Sequence, residues 1–481
     1  MMQKNKFTII HAADLHLGAP FKGISASSEG GFFPSNLKDT LVQATYDALG
    51  RLVRLCLEIR PHALLLAGDL YNPEGGGLKS LNALKQACQR LEEAGIPVLM
   101  LHGNHDAANL QPSWAWPDNV HIFQADQAES VPLFSEKGII RLGGPIDEGH
   151  IPGLDADCLA VVHGISHAQE KVSENLSLTV SRHVQKIAGL LPPSAWKIGL
   201  LHCAVGEKAS EGEKPYAPCS MEDLARTPVD YWALGHIHKR GMVTQNPLAW
   251  YSGNSQGMHI NETGPKGCLI VTFAPGLSPE VSFCSLASVE WHQLDYTAAQ
   301  NANLSALQED LLNLVEKRTV DRRDAQLKGL VIRLRINGRT GLDGWLREKT
   351  GELQAQIQAA LNEFHPFVWV KDIIIETSPA LDLEKALASP GLVGETLNRI
   401  TNAQGSVQSG AASGELLSGN ESPLGKLYNS PAVRQAGIQP PDPAALAALL
   451  VEAGWLCADL LKADADAPAP EESNMETGSG E

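Results

Sequence analysis

Leu101-His102-Gly103-Asn104-His105-Asp106 is the stretch that decides how this chain folds. It follows the apolar run 96–100, which predicts a buried strand. An amide, an imidazole and a carboxylate in consecutive positions at a strand end are poor core material and good metal ligands. Taken alone, the stretch fits a polar turn equally well, because Gly-Asn is common turn chemistry. Four other apolar runs end in the same kinds of residue, and this repetition favours a metal site.

Composition indicates a globular protein of two or three domains. The chain has 481 residues, of which 43% are hydrophobic and 19% charged. Its formal net charge of -17 argues against a general electrostatic grip on nucleic acid. Residues 301–350 are the exception, with 10 Lys and Arg against 7 Asp and Glu. This basic run is the candidate DNA-contacting surface, and its alternative is a solvated helix and edge strand.

The N-terminal residues and the cysteines predict a cytoplasmic protein. The apolar run 7–10 is too short and too polar for a signal peptide, and no later run approaches the ~20 residues of a membrane span. The eight cysteines are scattered without CxxC spacing, which favours reduced thiols.

The first third of the chain predicts a largely parallel sheet. Apolar periodicity alternates between strands and helices in a βαβαβ order, and ligands bind outside the carboxyl ends of the strands in such sheets. The predicted elements are strand 7–14, helix 39–60, strand 63–67, helix 79–94 and strand 97–102.

The rest of the chain completes an α/β (α+β) architecture. Short apolar runs and antiparallel strands over 240–296 predict a sandwich of two sheets flanked by helices, four layers in all. A helix-strand-helix-strand pattern then predicts a small α/β capping domain, followed by a helical region with Gly/Ser-rich interruptions over 405–424. The predicted domains are 1–296, 297–379, the helical region 380–464 and a disordered acidic tail 465–481.

Five polar clusters, each after an apolar run, carry the candidate chemistry. Each has a bland explanation alone, as a cap, a turn or a half-buried histidine, but the five together predict a dinuclear metal site. Residues two apart in a strand point to the same face, so the first and last clusters can each bind in common. Mixed nitrogen and oxygen ligands suit Mn, Fe or Zn better than Mg. The clusters are Asp14-Leu15-His16, Gly68-Asp69-Leu70-Tyr71-Asn72, Gly103-Asn104-His105-Asp106, His202, and Gly235-His236-Ile237-His238.

The order DxH, GDxxN, GNHD, H, GHxH over residues 7–240 resembles that of the calcineurin-like metallophosphoesterases. The resemblance implies a four-layer metallophosphoesterase-like fold and two divalent ions, with Mn²⁺ the preferred identity. It further implies that Asp69 bridges the two ions and that His105 acts as the acid or transition-state stabiliser. One ion would be held by Asp14, His16, Asp69 and His238, and the other by Asp69, Asn104, His202 and His236.

Three further stretches resemble bacterial DNA repair exonucleases of the YhaO and SbcD type: Asp14–Gly18, Tyr216–Cys219 and Tyr251–Gly267. Met258 departs from the arginine of many relatives, which puts a phosphate contact there in doubt. The resemblance implies hydrolysis of DNA phosphodiesters by a hydroxide that two metals activate. It also implies a coiled-coil ATPase partner that docks on 380–464 and a homodimer.

Two alternatives remain open at this point. A small-molecule phosphodiesterase or phosphatase of the same superfamily is supported by the acidic charge, and an inactive scaffold is disfavoured because every expected ligand is present. Other polar residues are assigned structural roles: His11, His102, His163, His167 and the glycine-rich stretch 75–80, which lacks phosphate-loop spacing.

Overall fold

The computed structural model describes most of the first 380 residues and parts of the remainder. The chain divides into two compact units, Met1–Ser378 and Pro379–Glu481. The described residues are 6–19, 21, 37–73, 77–110, 114–146, 157–206, 216–321, 327–380, 387–388, 392–408, 423–428, 430, 433, 441–442, 444–447, 449–450, 453 and 456.

A six-stranded sheet contains the predicted βαβαβ segment. Helices α1 (Leu37–Ile59) and α2 (Gly77–Glu93) connect its first three strands in the chain, and these strands pair in parallel, as predicted. All five residues of the second strand are buried, which explains why it is apolar throughout. In spatial order the strands are β13 (Glu280–Ser285), β12 (Gly267–Phe273), β1 (Phe7–Ala12), β2 (Ala63–Ala67), β3 (Val98–Leu101) and β4 (Val120–Ile122).

A seven-stranded sheet faces the first one. Helices α3 (Leu176–Ile187) and α4 (Met221–Ala225) accompany it. The fifth strand and α3 had not been predicted from the sequence, and the strand 248–251 pairs in parallel with 231–235, although antiparallel pairing was expected in this region. In spatial order the strands are β10 (Gly241–Gln245), β11 (Leu248–Tyr251), β9 (Tyr231–Gly235), β8 (Trp196–His202), β7 (Cys158–Gly164), β5 (Glu129–Glu136) and β6 (Ile139–Leu142).

Three apolar clusters stack these elements into four layers. One cluster joins side chains of both sheets, including Phe7 and Leu99 from the first and Leu200 from the second. A second cluster packs α1 and α2 on the outer face of the first sheet, and a third packs α3 and α4 on the outer face of the second. The predicted helix-flanked sandwich is therefore confirmed.

A third sheet forms the region predicted as a capping domain. It consists of β14 (Val289–Thr297), β15 (Gly329–Thr340) and β16 (Phe367–Pro379), with its own apolar core. Strand β14 belongs to this sheet, whereas the boundary predicted at residue 297 left nearly all of it in the first domain. One helix was predicted over 342–363, and the structure has two. The helices here are α5 (Leu304–Asp321), α6 (Asp343–Glu348) and α7 (Thr350–Leu361).

The second unit is helical where the structure describes it. Helix α8 (Leu392–Gln408) extends into the Gly/Ser-rich stretch predicted as an interruption, and α9 is Pro423–Tyr428. Val407, Leu446 and Ala447 are buried together. The predicted acidic tail 465–481 lies outside the described residues. Among the helices that are described, none combines the length and apolar character of a membrane span.

Candidate metal centre

The polar clusters predicted from the sequence meet at one edge of the sandwich. They follow β1, β2, β3, β8 and β9, whose carboxyl ends converge there. Among the described residues, three groups have possible ligand atoms that all lie within 4.8 Å of one another. The groups are Asp14, His16 and His238; Asp69, His202 and His236; and His16, Asp69 and His105.

Four of the predicted ligands lie in a strained backbone conformation. The φ angles are +50° at Asp14, +43° at His16, +52° at Asp69 and +103° at His236, in the left-handed region that ordinary side chains avoid. Such strain persists only where the surroundings fix it, and it concentrates at functional sites. These residues therefore turn their side chains toward the centre from loops just beyond the strands.

Backbone hydrogen bonds between the loops hold this conformation. The amide of Asp14 donates to the carbonyl of Gly68, and the amide of His16 donates to the carbonyl of Asp69, both at 3.0 Å. The amide of His236 lies 3.1 Å from each carboxylate oxygen of Asp14. The strands β1, β2 and β9 are thus joined at the point where the candidate ligands are presented.

The first group is built around two imidazoles that face each other. The Nε2 atoms of His16 and His238 are 3.0 Å apart. Each ring directs its Nδ1 at an oxygen acceptor, Asn72 Oδ1 at 2.8 Å for His16 and Glu262 Oε1 at 2.5 Å for His238. With both Nδ1 atoms donating, one position remains between the Nε2 atoms for a proton or a cation.

The second group is built around Asn104. Its Oδ1 lies 3.0 Å from His202 Nε2 and 3.2 Å from His236 Nδ1. His202 also approaches Asp69 Oδ2 at 3.4 Å, while its Nδ1 donates to the carbonyl of Ala67 at 2.9 Å. A ring nitrogen, an amide oxygen and a carboxylate oxygen converge here, which is a donor set that suits a divalent transition metal.

The carboxylate of Asp69 lies between the two groups. Its Oδ2 is 3.8 Å from His16 and 3.4 Å from His202, and its Oδ1 accepts from the amide of His105 at 2.8 Å. Asp69 is 2% exposed and therefore has few partners other than these groups and any bound ion. Its carboxylate is thus within reach of both groups, and the bridging role of Asp69 stays a prediction.

Burial and charge set the protonation of the centre. Burial lowers the pKa of His16 to about 4 and that of His236 to about 3, so both rings are neutral near pH 7. Burial also lowers the pKa of His202, but the neighbouring Asp69 carboxylate outweighs it and raises this pKa to about 9. Burial raises the pKa of Asp14 to about 6 against the opposing effect of His202 and His238. His202 would have to release a proton in order to hold a cation in the second group.

Sequence reasoning missed the roles of three residues that hold the centre in place. Asp106 is fully buried and accepts from the amides of Gly103, Leu70 and Asp69 at 2.7, 2.8 and 3.2 Å. Asn72 and Glu262 orient His16 and His238 as described above. All three stood inside motifs recognised in the sequence, but the hydrogen bonds that give them a role join segments far apart in the chain.

Two glycines are required by the closeness of the loops. A Cβ atom at Gly103 would collide with Asp69, and one at Gly235 would collide with the carbonyl of Ala67. A residue without a Cβ atom is therefore needed at both positions for the backbone segments to approach each other.

His105 differs from the other predicted residues because it is exposed. Its ring packs edge-on against His16, with 4.9 Å between the ring centroids. Its backbone amide holds Asp69, so the side chain stands at the centre with one face toward solvent. This is the position of a group that can reach a substrate oxygen.

Three of the histidines assigned structural roles are buried and have hydrogen-bond partners. His11 is buried between the Tyr231 hydroxyl and the Leu234 carbonyl at 3.0 and 3.2 Å, as a satisfied core histidine should be. His163 contacts Ser130 at 2.6 Å, and His167 Nε2 lies 2.7 Å from the carbonyl of His202, directly behind a candidate ligand. The glycine-rich stretch 75–80 ends as the first turn of α2, and residues 74–76 are outside the described part.

The basic run of the third sheet is paired with carboxylates. Arg333 forms two hydrogen bonds with Asp372, at 2.6 and 2.7 Å, and Arg335 contacts Glu376 at 2.8 Å. Lys328 contacts Asp47 at 2.6 Å. Arg322 and Arg323 lie outside the described residues. At these three positions the predicted DNA-contacting surface is therefore neutralised by its neighbours.

Two stretches of the chain match the models of known protein families. Residues 7–240 match the model for calcineurin-like phosphoesterases. Residues 291–378 match the model for the middle domain of the metallophosphoesterase YhaO. The second match begins within β14, in agreement with the strand's place in the third sheet.

Three relatives illustrate the range of similar proteins. The uncharacterized metallophosphoesterase YhaO of Bacillus subtilis is 33% identical over 62% of this chain and 65% of its own length. The DNA double-strand break repair protein Mre11 of Methanocaldococcus jannaschii is 26% identical over 53% and 57%. The SbcD component of the nuclease SbcCD of Bacillus subtilis is 26% identical over 56% and 66%. The chain thus covers less than two thirds of the length of each of these relatives.

Proposed function

We propose that this chain, which contains a calcineurin-like metallophosphoesterase domain and is homologous to YhaO, SbcD and Mre11, is a metal-dependent DNA nuclease. The observation that carries the proposal is the convergence of two side-chain groups on Asp69, each with ligand atoms within 4.8 Å of one another.

Two cations would be held by the predicted sets. Asp14, His16, Asp69 and His238 would bind one, and Asp69, Asn104, His202 and His236 the other. The fit rests on donor chemistry, because imidazoles, an amide oxygen and two carboxylates converge there. When bound, two such ions supply Lewis acidity and positive charge at a scissile phosphate. We propose Mn²⁺ as the ion in both positions.

The protein's own residues would complete the reaction. His105 reaches solvent beside the first group, where it would donate a proton to the leaving oxygen of the cleaved ester. Asp106 and the Asp69–His105 hydrogen bond fix the loop that presents this imidazole. Asp14, His16, Asp69, Asn104 and His202 are buried, and His236 and His238 are partly buried, so His105 is the most exposed imidazole of the centre.

The choice of DNA as substrate rests on the relatives. Two of them are named as a DNA double-strand break repair protein and as a subunit of a nuclease. A role in DNA repair, a cytoplasmic location, a homodimer and a coiled-coil ATPase docked on 380–464 remain predictions of the same kind.

A small-molecule phosphodiesterase is the second candidate, and one structural observation favours it. The net charge is -17, and Arg333, Arg335 and Lys328 are paired with carboxylates of the same chain. An acidic protein with these three basic residues already paired has less electrostatic attraction for a DNA backbone.

Hydrolysis assays would separate the two candidates. The purified protein would be incubated with Mn²⁺ and end-labelled single- or double-stranded DNA, beside bis(p-nitrophenyl) phosphate as a generic diester. We expect DNA cleavage that is abolished in Asp69→Ala, because this change removes the carboxylate shared by both groups. Cleavage of the generic diester without cleavage of DNA would instead support the small-molecule enzyme.

A further inference from the structure

Glu262 is a buried carboxylate in the segment between β11 and β12, and it contacts the candidate ligand His238. It is 7% exposed. Its Oε1 lies 2.5 Å from His238 Nδ1 and 3.2 Å from His259 Nε2. Its Oε2 accepts from the amide of Met258 at 2.7 Å and from Asn254 Nδ2 at 3.0 Å.

These four contacts match an ionised carboxylate and no other side chain of this size. Met258 N and Asn254 Nδ2 are donors, and the two imidazoles present nitrogen atoms to the other oxygen. A carboxylate offers two acceptor oxygens, whereas a glutamine amide offers one acceptor and one donor. Glutamine at this position would point its NH₂ group either at Met258 N and Asn254 Nδ2, which opposes donors to donors, or at His238 Nδ1, which would then have to accept and carry its proton on Nε2 instead.

The contact with Glu262 decides which nitrogen of His238 faces the centre. An Nδ1 that donates to a carboxylate leaves Nε2 with its lone pair. That Nε2 points at His16 Nε2, 3.0 Å away, within the group that also contains Asp14. His238 comes from a part of the chain far from Asp14 and His16. Its orientation therefore depends on the residues packed around it, of which Glu262 is one.

The segment that carries Glu262 is held by strand β14 of the third sheet. The side chain of Gln256 donates to the carbonyl of Val289 at 2.6 Å and accepts from the amide of Ser288 at 2.9 Å. The indole of Trp291 donates to the carbonyl of Gly257 at 2.8 Å. Met258, which stands where many relatives are expected to have arginine, is buried in this segment. Its backbone amide donates to Glu262, so this position acts through its backbone.

We propose that Glu262 is a positioning residue that fixes the ring orientation of His238 and thereby sets the affinity of one of the two cation positions. The affected position is the one formed by Asp14, His16, Asp69 and His238. The inference rests on the proposed function, because it takes the two groups to be metal sites. The Asn104, His202 and His236 position has no contact with Glu262 among the hydrogen bonds of the described residues, so it should be affected much less.

Binding of Mn²⁺ to the intact protein, measured by isothermal titration calorimetry, would test the proposal. The variants are Glu262→Gln, which keeps the shape and removes the charge, and Glu262→Asp, which keeps the charge. Glu129→Gln is the matched control, because Glu129 is 5% exposed and contacts His121 at 3.2 Å in the same sandwich without touching the centre. Thermal unfolding in EDTA would establish that each variant is folded.

We expect the wild type and Glu129→Gln to bind two ions. In Glu262→Gln one of the two binding steps should weaken by roughly 10–100-fold, the range typical when a hydrogen-bond partner of a metal-binding histidine is removed. Glu262→Asp should recover part of this loss, since its carboxylate can still accept from His238.

Two results would overturn the inference while leaving the proposed function intact: two unaltered binding steps in Glu262→Gln, or equal weakening of both steps in both Glu262 variants. The second result would indicate a general structural role. Absence of Mn²⁺ binding in the wild type would instead contradict the proposed metal centre itself.

Discussion

The metal centre and the third sheet both concentrate polar side chains, but they satisfy them in opposite ways. In the centre, possible ligand atoms face one another: His16 and His238 meet at 3.0 Å, and His202 meets Asn104 at 3.0 Å. In the third sheet, Arg333 faces Asp372 and contacts it through two hydrogen bonds. In the sheet the charges of Arg333 and Asp372 neutralise each other, whereas the facing ligand atoms of the centre leave a position for a cation.

This difference shows how a charge count along the sequence can differ from the charge that a folded surface presents. The excess over 301–350 was 10 basic against 7 acidic residues. The carboxylates of Asp372 and Glu376 lie beyond that window, on β16, and they pair with Arg333 and Arg335. The ion pairs between β15 and β16 therefore offset part of the basic excess that a count over residues 301–350 alone gives.

The largest expected effect is on turnover and comes from the exposed member of the centre. His105→Asn should lower hydrolysis of DNA or a generic diester by about 10²–10⁴-fold, since a positioned proton donor contributes about this much. Mn²⁺ binding should be retained, because His105 is outside both predicted ligand sets. Steady-state kinetics beside calorimetric titration would check this, and normal turnover would rule out the role of His105.

The next effect concerns the carboxylate that joins the loops of the centre. Asp106→Asn should lower the free energy of unfolding by about 1–3 kcal/mol, because an amide NH₂ would face backbone N–H donors in a buried site. Urea denaturation would measure the change. The exposed Asp118→Asn serves as a control and should lie within about 0.5 kcal/mol of the wild type. If Asp106→Asn is as stable as Asp118→Asn, the hydrogen bonds that the Asp106 carboxylate accepts do not stabilise the fold.

A smaller effect is expected where the arginines of the third sheet are replaced. If their charges are already neutralised, Arg333→Gln combined with Arg335→Gln should leave the salt dependence of DNA binding unchanged. If they contact phosphates, the slope of log affinity against log salt should fall in magnitude by about 2, near 0.9 for each lost contact. Fluorescence anisotropy at several salt concentrations would distinguish the two, and the second outcome would restore this run as a DNA surface.

The smallest effect is the pH dependence of the Arg333–Asp372 pair. Burial raises the pKa of Asp372, but Arg333 and Lys371 outweigh it and hold this pKa below its ordinary value. A carboxyl whose pKa is lower in the folded state stabilises the fold above its unfolded pKa of ~3.9, and this contribution is lost as pH falls further. We expect up to about 1 kcal/mol.

The free energies of unfolding of the wild type and of Asp372→Asn should therefore differ at pH 6 and converge toward pH 3. A difference in this free energy that stays constant over the range would mean that the charge of the Asp372 carboxylate contributes nothing through its pair with Arg333.

The fold of the first third was predictable because its signals are local. Apolar runs and helical spacing identified β1, α1, β2, α2 and β3, and the carboxyl ends of these strands located the site. Strand β5 and helix α3 were missed, and β14 pairs with the third sheet although most of it precedes the boundary predicted at residue 297. Strand β14 reads like the antiparallel strands before it, and only its parallel pairing with β15, more than 30 residues later, reveals the sheet to which it belongs.

The sequence by itself pointed to the residues that the structure brings together, because five clusters of imidazoles, carboxylates and an amide after apolar runs are hard to explain as caps and turns alone. The tertiary structure alone decided the backbone geometry that presents them. The alternation of side chains along a strand put His236 and His238 on one face, but both follow the end of β9, His236 has a φ of +103°, and the two histidines belong to different groups. The tertiary structure also revealed the roles of Glu262, Asn72 and Asp106. A hydrogen bond that orients a ligand depends on distance in space and leaves no periodic pattern in the sequence.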